Sequence, residues 1–188
     1  MAAVSRRNVY LAGMMGTGKS TVGRELARLM GRKFVDTDAA LERRLGMPVS
    51  ECFVREGEAW FRAQEKALSL ELAALSNRVV ATGGGTLLDP EVRALFTSTG
   101  VVICLFTQKE ELVTRLERTD KRPLLKDQPI DQKVEELLRQ RKEVYDTIPI
   151  RIDTTHLTPQ EAAHKIHDLL KLRQKILAQL QSQYIVIT

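Results

Sequence analysis

Apolar positions along this chain follow two alternating rhythms. Short apolar and β-branched runs read as buried strands: "NVYLAG" (8–13), "KFVDTD" (33–38), "NRVVATGGG" (77–85), "GVVICLF" (100–106) and "PIRID" (149–153). The fourth is the best candidate for a central parallel strand, since a strand covered on both faces needs no polar alternation. Between these runs the spacing turns helical. Val22, Leu26, Leu29 and Met30 mark a helix over 21–31 that Gly31 closes. Residues 39–75 are mostly helical, interrupted by "GMP" (46–48) and by Gly57, with a helix start at Ser50 and Glu51 and a long periodic run over 58–75. Asp89 and Pro90 suit the N-cap and first position of the next helix. Helical spacing returns over 108–118, 131–148 and 159–183. The segment "RTDKRPLLKDQPI" (118–130) breaks the rhythm with two prolines and a basic cluster, and reads as a loop able to close over a pocket.

Strands alternating with helices predict an α/β fold with a parallel sheet and helices on both faces. No repeat, linker or low-complexity tract divides the 188 residues, so one domain is expected. The excursions at about 37–75 and 107–131 then become subdomains grown from that core.

Composition narrows the class. Apolar residues make up 43% and charged residues 28%, which fits a globular protein with a full core. No apolar stretch approaches a membrane span, so a soluble, cytoplasmic protein without a membrane partner is expected; a processed organellar form would share these features. The formal charge of +5 favours anionic ligands, but five Phe, three Tyr and one Trp give little for a nucleic-acid stacking platform. Cys52 and Cys104 lack metal-ligand spacing and suggest buried thiols in a reducing compartment, with a single disulfide as the alternative. His164 and His167 stand three apart on a helix without an acidic or cysteine partner, so packed or surface histidines are expected there.

The most specific motif is "GMMGTGKS" (13–20), which fits G-x-x-x-x-G-K-S after a strand and at the opening of a helix. Gly13, Met14, Met15, Gly16, Thr17, Gly18 and Thr21 belong to a loop whose amides and helix N-terminus attract phosphate. Lys19 is expected to reach the β- and γ-phosphates of a nucleoside triphosphate, and the Ser20 hydroxyl to ligate Mg²⁺.

Asp36 and Asp38, two apart in an extended segment, would point into one cleft while Thr37 faces away. Beside a triphosphate they would divide their roles, Asp36 toward Mg²⁺ through water and Asp38 toward an acceptor hydroxyl. The competing reading is that both cap a helix beginning near Ala39. Arg62, within "WFRAQE", suits a planar carboxylate or an ordinary helix salt bridge to Glu58 or Glu65. Gly83, Gly84 and Gly85 permit close approach to a ligand or simply a bend. Arg118, Arg122 and Arg141 suit phosphoryl or carboxylate contacts, or a solvated surface.

Taken together, "GMMGTGKSTVGRELA", "FVDTD", "PVSECFVREGEAWFRAQE", "VVATGGG", "RPLL" and "RQRKEVY" resemble the shikimate kinase family over about 8–170. The resemblance implies a phosphate-loop three-layer α/β/α fold with a five-stranded parallel sheet ordered 2-3-1-4-5. It also implies ATP-dependent phosphorylation of the shikimate 3-hydroxyl with Mg²⁺, by direct in-line transfer, in a single domain over 1–170. By the same resemblance Asp38, Lys19 and Arg122 are catalytic, and Asp38, Arg62, Arg141 and Gly83 to Gly85 hold shikimate. Arg122 and Arg115 contact ATP, the latter near adenine, while Ser20 and Asp36 serve the metal. A monomer is implied.

Three departures stand out: His156 where the family often has an arginine, Pro149 after "YDTI", and the tail at 171–188. That tail leaves open a longer last helix, a further pathway domain in a longer parent, or an oligomer contact. A gluconate kinase on the same core is the rival enzyme, and a silent domain the non-enzymatic one. Neither explains the arginines and the triple glycine together, and the silent reading requires a lost reactive group that this sequence does not lack.

Overall fold

The computed structural model describes residues 6–117 and 129–184, with side chains as far as Leu180. Five parallel strands, β1 (Asn8–Ala12), β2 (Lys33–Asp36), β3 (Arg78–Ala81), β4 (Gly100–Phe106) and β5 (Arg151–Asp153), form one sheet ordered β2-β3-β1-β4-β5. β1 sits at the centre, paired with β3 through Tyr10↔Val80 and with β4 through Tyr10↔Val102. Alternation along β1 feeds two cores. Val9 and Leu11 join Leu26, Ile103 and Ile166 on one face, whereas Tyr10 and Ala12 join Leu72, Phe96 and Cys104 on the other. The first face is covered by α1 (Lys19–Met30) and α8 (Pro159–Tyr184), the second chiefly by α4 (Glu58–Ala73), α5 (Pro90–Thr99) and α7 (Ile130–Asp146). Tyr10 stacks on Phe96 with ring centroids 3.9 Å apart.

Local chemistry sets the element ends. Gly31 closes α1 in the left-handed conformation, as its position predicts. The Asp89 carboxylate accepts from the Glu91 and Val92 amides, with Pro90 first in the helix. Buried Asn8 donates to the Leu72 and Leu75 carbonyls and accepts from the Arg78 amide, tying the end of α4 to the start of β3. The segment after β2 forms three helices, α2 (Thr37–Leu45), α3 (Val49–Arg55) and α4, broken at the expected "GMP" and Gly57. The α3 start is at Val49 after Pro48, one residue ahead of Ser50.

The extended reading of residues 36–38 is overturned, and with it the expectation that Thr37 faces away, since its hydroxyl accepts the Gly83 N–H at 2.8 Å. β2 stops at Asp36, and Thr37 is already the first residue of α2. Asp36 and Asp38 are therefore not side by side in an extended strand. Asp36 caps α2 by accepting the Ala39 amide at 3.2 Å, and Asp38 lies in the first helical turn. The capping reading thus holds for Asp36 alone.

The tail extends the last helix without a break to Tyr184. Both cysteines are buried free thiols. Among the described residues no helix is long and apolar enough to cross a membrane, and no cluster of His, Cys, Asp and Glu would hold a metal by itself. His164 bonds the Gln160 carbonyl of its own helix.

Candidate active site

Parallel strands that open onto helix N-termini at their carboxyl ends create a crevice there. The loop Gly13–Ser20 leaves β1 at that edge. Gly13 has φ 132°, and a Cβ on it would lie 2.1 Å from the Leu105 carbonyl, so only glycine fits between the loop and β4. Thr17 braces the loop by donating from both amide and hydroxyl to the Met14 carbonyl. Across it lies the Lys19 ammonium, donating to the Gly13 and Met14 carbonyls at 2.9 Å each. A bound phosphate would draw this amine from those carbonyls. Arg115, on α6 (Lys109–Glu117), bonds the Thr154 carbonyl at 3.0 Å and the Gly16 carbonyl at 3.5 Å, which places it at the loop's outer rim. His156, with φ 58°, stands 4.0 Å from Glu111 near the same rim.

Ser20 donates to Asp36 Oδ2 at 2.5 Å, so the carboxylate that caps α2 also meets the hydroxyl at the foot of the phosphate loop. A hydroxyl and a carboxylate form a hard, all-oxygen donor pair, which fits a cation completed by water and phosphate oxygens in the manner of Mg²⁺. Asp38 keeps an exposed surface on the crevice, yet protein packs around its carboxylate. That desolvation, then Asp36, pushes its pKa up to about 6, with smaller pushes from Glu65 and Glu42 and a counter-pull from Lys19.

The triple glycine completes the crevice. A Cβ on Gly83 would lie 2.7 Å from Asp38 Oδ1 and 2.6 Å from Glu65 Oε1. Arg141, buried on α7, donates to the Gly84 carbonyl at 3.0 Å, and Tyr145 donates to the same oxygen at 2.7 Å. A Cβ on Gly85 would fall 2.6 Å from Arg62 Nη2. Two guanidiniums from different helices thus converge on one glycine triplet. Arg62 is also ion-paired to Glu65 at 2.7 Å and Glu58 at 3.0 Å, so the salt-bridge reading is satisfied without removing the residue from the crevice. A cavity of about 300 Å³ opens on the Arg62–Gly85 side, between α4 and the start of α5, and does not reach Asp38 or Lys19.

Gly13 to Thr21, Asp36, Asp38, Arg62, Gly83 to Gly85, Arg115 and Arg141 therefore gather around one crevice, while Arg118 and Arg122 lie outside the described residues. Thr37, Glu65, Thr86 and Tyr145 also belong to the crevice walls. The Arg62–Glu65 spacing hinted at Glu65, but no local pattern marked the others. Glu65, 3% exposed, accepts from the Thr86 hydroxyl at 2.5 Å.

The chain is similar to known proteins over most of its length. A family model described as shikimate kinase matches residues 15–171. The shikimate kinase of Desulforudis audaxviator is 41% identical over 167 residues, covering 89% of this chain and 88% of that protein. The Pelotomaculum thermopropionicum shikimate kinase is 38% identical over 165 residues, covering 88% and 96%. A solved shikimate kinase from Acinetobacter baumannii in complex with shikimate superposes with TM-score 0.87 at 36% identity, covering 92% of this chain and 97% of that one. A gluconokinase from Sinorhizobium meliloti, with TM-score 0.60, 18% identity and coverage of 93% and 97%, shares the fold alone. Since the family model spans most of the chain and the relatives match over nearly their full lengths, the chain belongs to the shikimate kinase family.

Proposed function

We propose that the chain transfers the γ-phosphoryl group of ATP to the 3-hydroxyl of shikimate, giving shikimate 3-phosphate and ADP. The observation that carries this reading is the convergence of Arg62 and Arg141 on Gly83–Gly85, beside Asp38 and the phosphate loop. A ring acid needs a cationic clamp for its carboxylate and an acceptor for its hydroxyl proton, both within reach of the triphosphate.

Each group then has a task. The Gly13–Ser20 amides and the N-terminus of α1 hold the phosphates, and Lys19 follows the charge that builds on the β–γ bridge. Arg62 and Arg141 fix the acceptor's carboxylate. Asp38 orients the 3-hydroxyl and takes its proton as the oxygen attacks phosphorus in line. Asp38 keeps an exposed surface, through which that hydroxyl would reach its carboxylate. Ser20 and water-linked Asp36 would hold Mg²⁺, which neutralises phosphate charge when bound. Arg115 serves the adenine side, and Arg122 the transferring phosphoryl group. The unit over 37–75 is the acceptor subdomain, and the chain works as a monomer.

The test is product analysis. Phosphorus-31 and proton spectra of a reaction with Mg²⁺-ATP should place a new phosphate ester on the 3-oxygen of shikimate. Free phosphate with no ester, from protein that binds ATP, would overturn the proposal.

A further inference from the structure

We infer that Thr37 sets the distance between the Asp38 carboxylate and the triple glycine, which makes it a positioning residue for the acceptor. This rests on the function proposed above. Thr37 is 1% exposed and opens α2 directly after the cap residue Asp36. Its hydroxyl oxygen accepts the Gly83 N–H at 2.8 Å, a contact between residues 46 apart in sequence.

The need for that bond follows from the sheet. Main-chain pairing between β2 and β3 ends at Asp36↔Ala81. The next amide, Thr82, turns to β1 and donates to the Leu11 carbonyl. Gly83 is then left with a buried N–H beyond the end of the β2–β3 ladder, because β2 has become a helix. The Thr37 side chain supplies the acceptor that the main chain no longer offers. At its other end the same glycine is held by Thr86, whose amide donates to the Gly83 carbonyl at 3.3 Å.

What this bond joins gives it meaning. Asp38 follows Thr37 directly, and its Oδ1 stands 2.7 Å from where a Gly83 Cβ would be. Thr37 therefore clamps the acceptor-facing carboxylate and the acceptor-facing glycine against each other through one hydroxyl. The phosphate loop has its own bracing through Thr17 and Thr154, which donates to the Thr17 carbonyl at 3.2 Å. Loosening Thr37 should be felt by the acceptor and not by the nucleotide.

Thr37→Val keeps the shape and removes the acceptor oxygen, and Thr37→Ser restores it. With both variants folded by thermal melt, steady-state kinetics should show Thr37→Val raising the shikimate KM about tenfold, the scale of one buried N–H left without its partner. The ATP KM should stay within about twofold and Thr37→Ser should return the shikimate KM to near wild type, as expected if one hydroxyl carries the effect. Amide exchange at Gly83 in the unliganded protein should quicken by a similar factor in the valine variant alone. A valine variant with unchanged shikimate KM and Gly83 exchange would overturn the assignment. So would equal rises in both KM values, or serine behaving like valine. Wild-type protein that turns over no shikimate would instead overturn the proposed function, and Gly83 exchange would still decide the hydrogen bond.

Discussion

Replacing Gly83 with alanine adds one methyl group at the most crowded point of the crevice. The new carbon would sit 2.6 Å from Glu65 Oε1, 2.7 Å from Asp38 Oδ1 and 3.0 Å from Thr86 Oγ1, while ordinary contact begins at 3.4 Å. The two carboxylates must therefore retreat by about 0.7 Å, and a misplacement near 1 Å costs on the order of 10²-fold in rate. Glu65 is anchored to both Arg62 and Thr86, so it has little room to yield, and Asp38 takes most of the shift. Overpacking of this kind also lowers stability by about 1–3 kcal/mol. The assay is ADP release coupled to a pyruvate kinase and lactate dehydrogenase system, read alongside a urea melt. Gly83→Ala should lose about 10²-fold in kcat, the scale set by that misplacement. Gly46→Ala provides the control: its φ is 69° with nothing within 4 Å of the added carbon, so it should lose stability and keep turnover. A Gly83→Ala enzyme with kcat and shikimate KM near wild type would refute the reasoning, because Asp38 would then tolerate a displacement that the proposed chemistry does not.

Removing Arg62 leaves Glu65 buried with Thr86 as its remaining partner among the described residues, so Arg62→Ala should cost about 3 kcal/mol in a urea melt. Much of that loss should vanish in a Glu65→Gln background. Asp36→Ser keeps an oxygen for the Ala39 amide and removes the charge, so calorimetry should show a weakened Mg²⁺ dependence of ATP affinity with helix stability retained. Asp36→Ala should in addition lose about 1 kcal/mol of capping. The raised Asp38 pKa of about 6 means that the reactive carboxylate is lost below that pH, so kcat/KM for shikimate should fall as pH drops through 6. A folded pKa above the unfolded one also means that stability falls as pH rises from near 4 to 6. Asp38→Asn should therefore melt slightly higher than wild type at pH 7 while losing turnover.

Elements with strong periodicity were legible in the residues themselves. The strand at 100–106, the helix closed by Gly31 and the Asp89–Pro90 start all form where their patterns place them. The phosphate loop was legible because its function is carried by local backbone, which a short motif encodes. The geometry of "FVDTD" is not legible locally, because five residues cannot show where a strand becomes a helix. The capping bond to Ala39 and the turn toward Gly83 depend on β3 lying alongside. The side that Thr37 faces is hidden for the same reason: its hydroxyl meets a glycine 46 residues away. Arg62 and Arg141 were each ambiguous alone, since a helix surface and a ligand clamp call for the same side chain. Their meeting at Gly84 and Gly85 depends on tertiary packing that neither helix reveals alone.

The central claim is that this crevice selects shikimate as acceptor. ADP release with Mg²⁺-ATP, measured in parallel with shikimate, gluconate and nucleoside monophosphates, tests it most directly. The account predicts saturable turnover with shikimate and only background ATP hydrolysis with the others. Folded, ATP-binding protein that turns over gluconate or a nucleoside monophosphate, and leaves shikimate untouched, would contradict it.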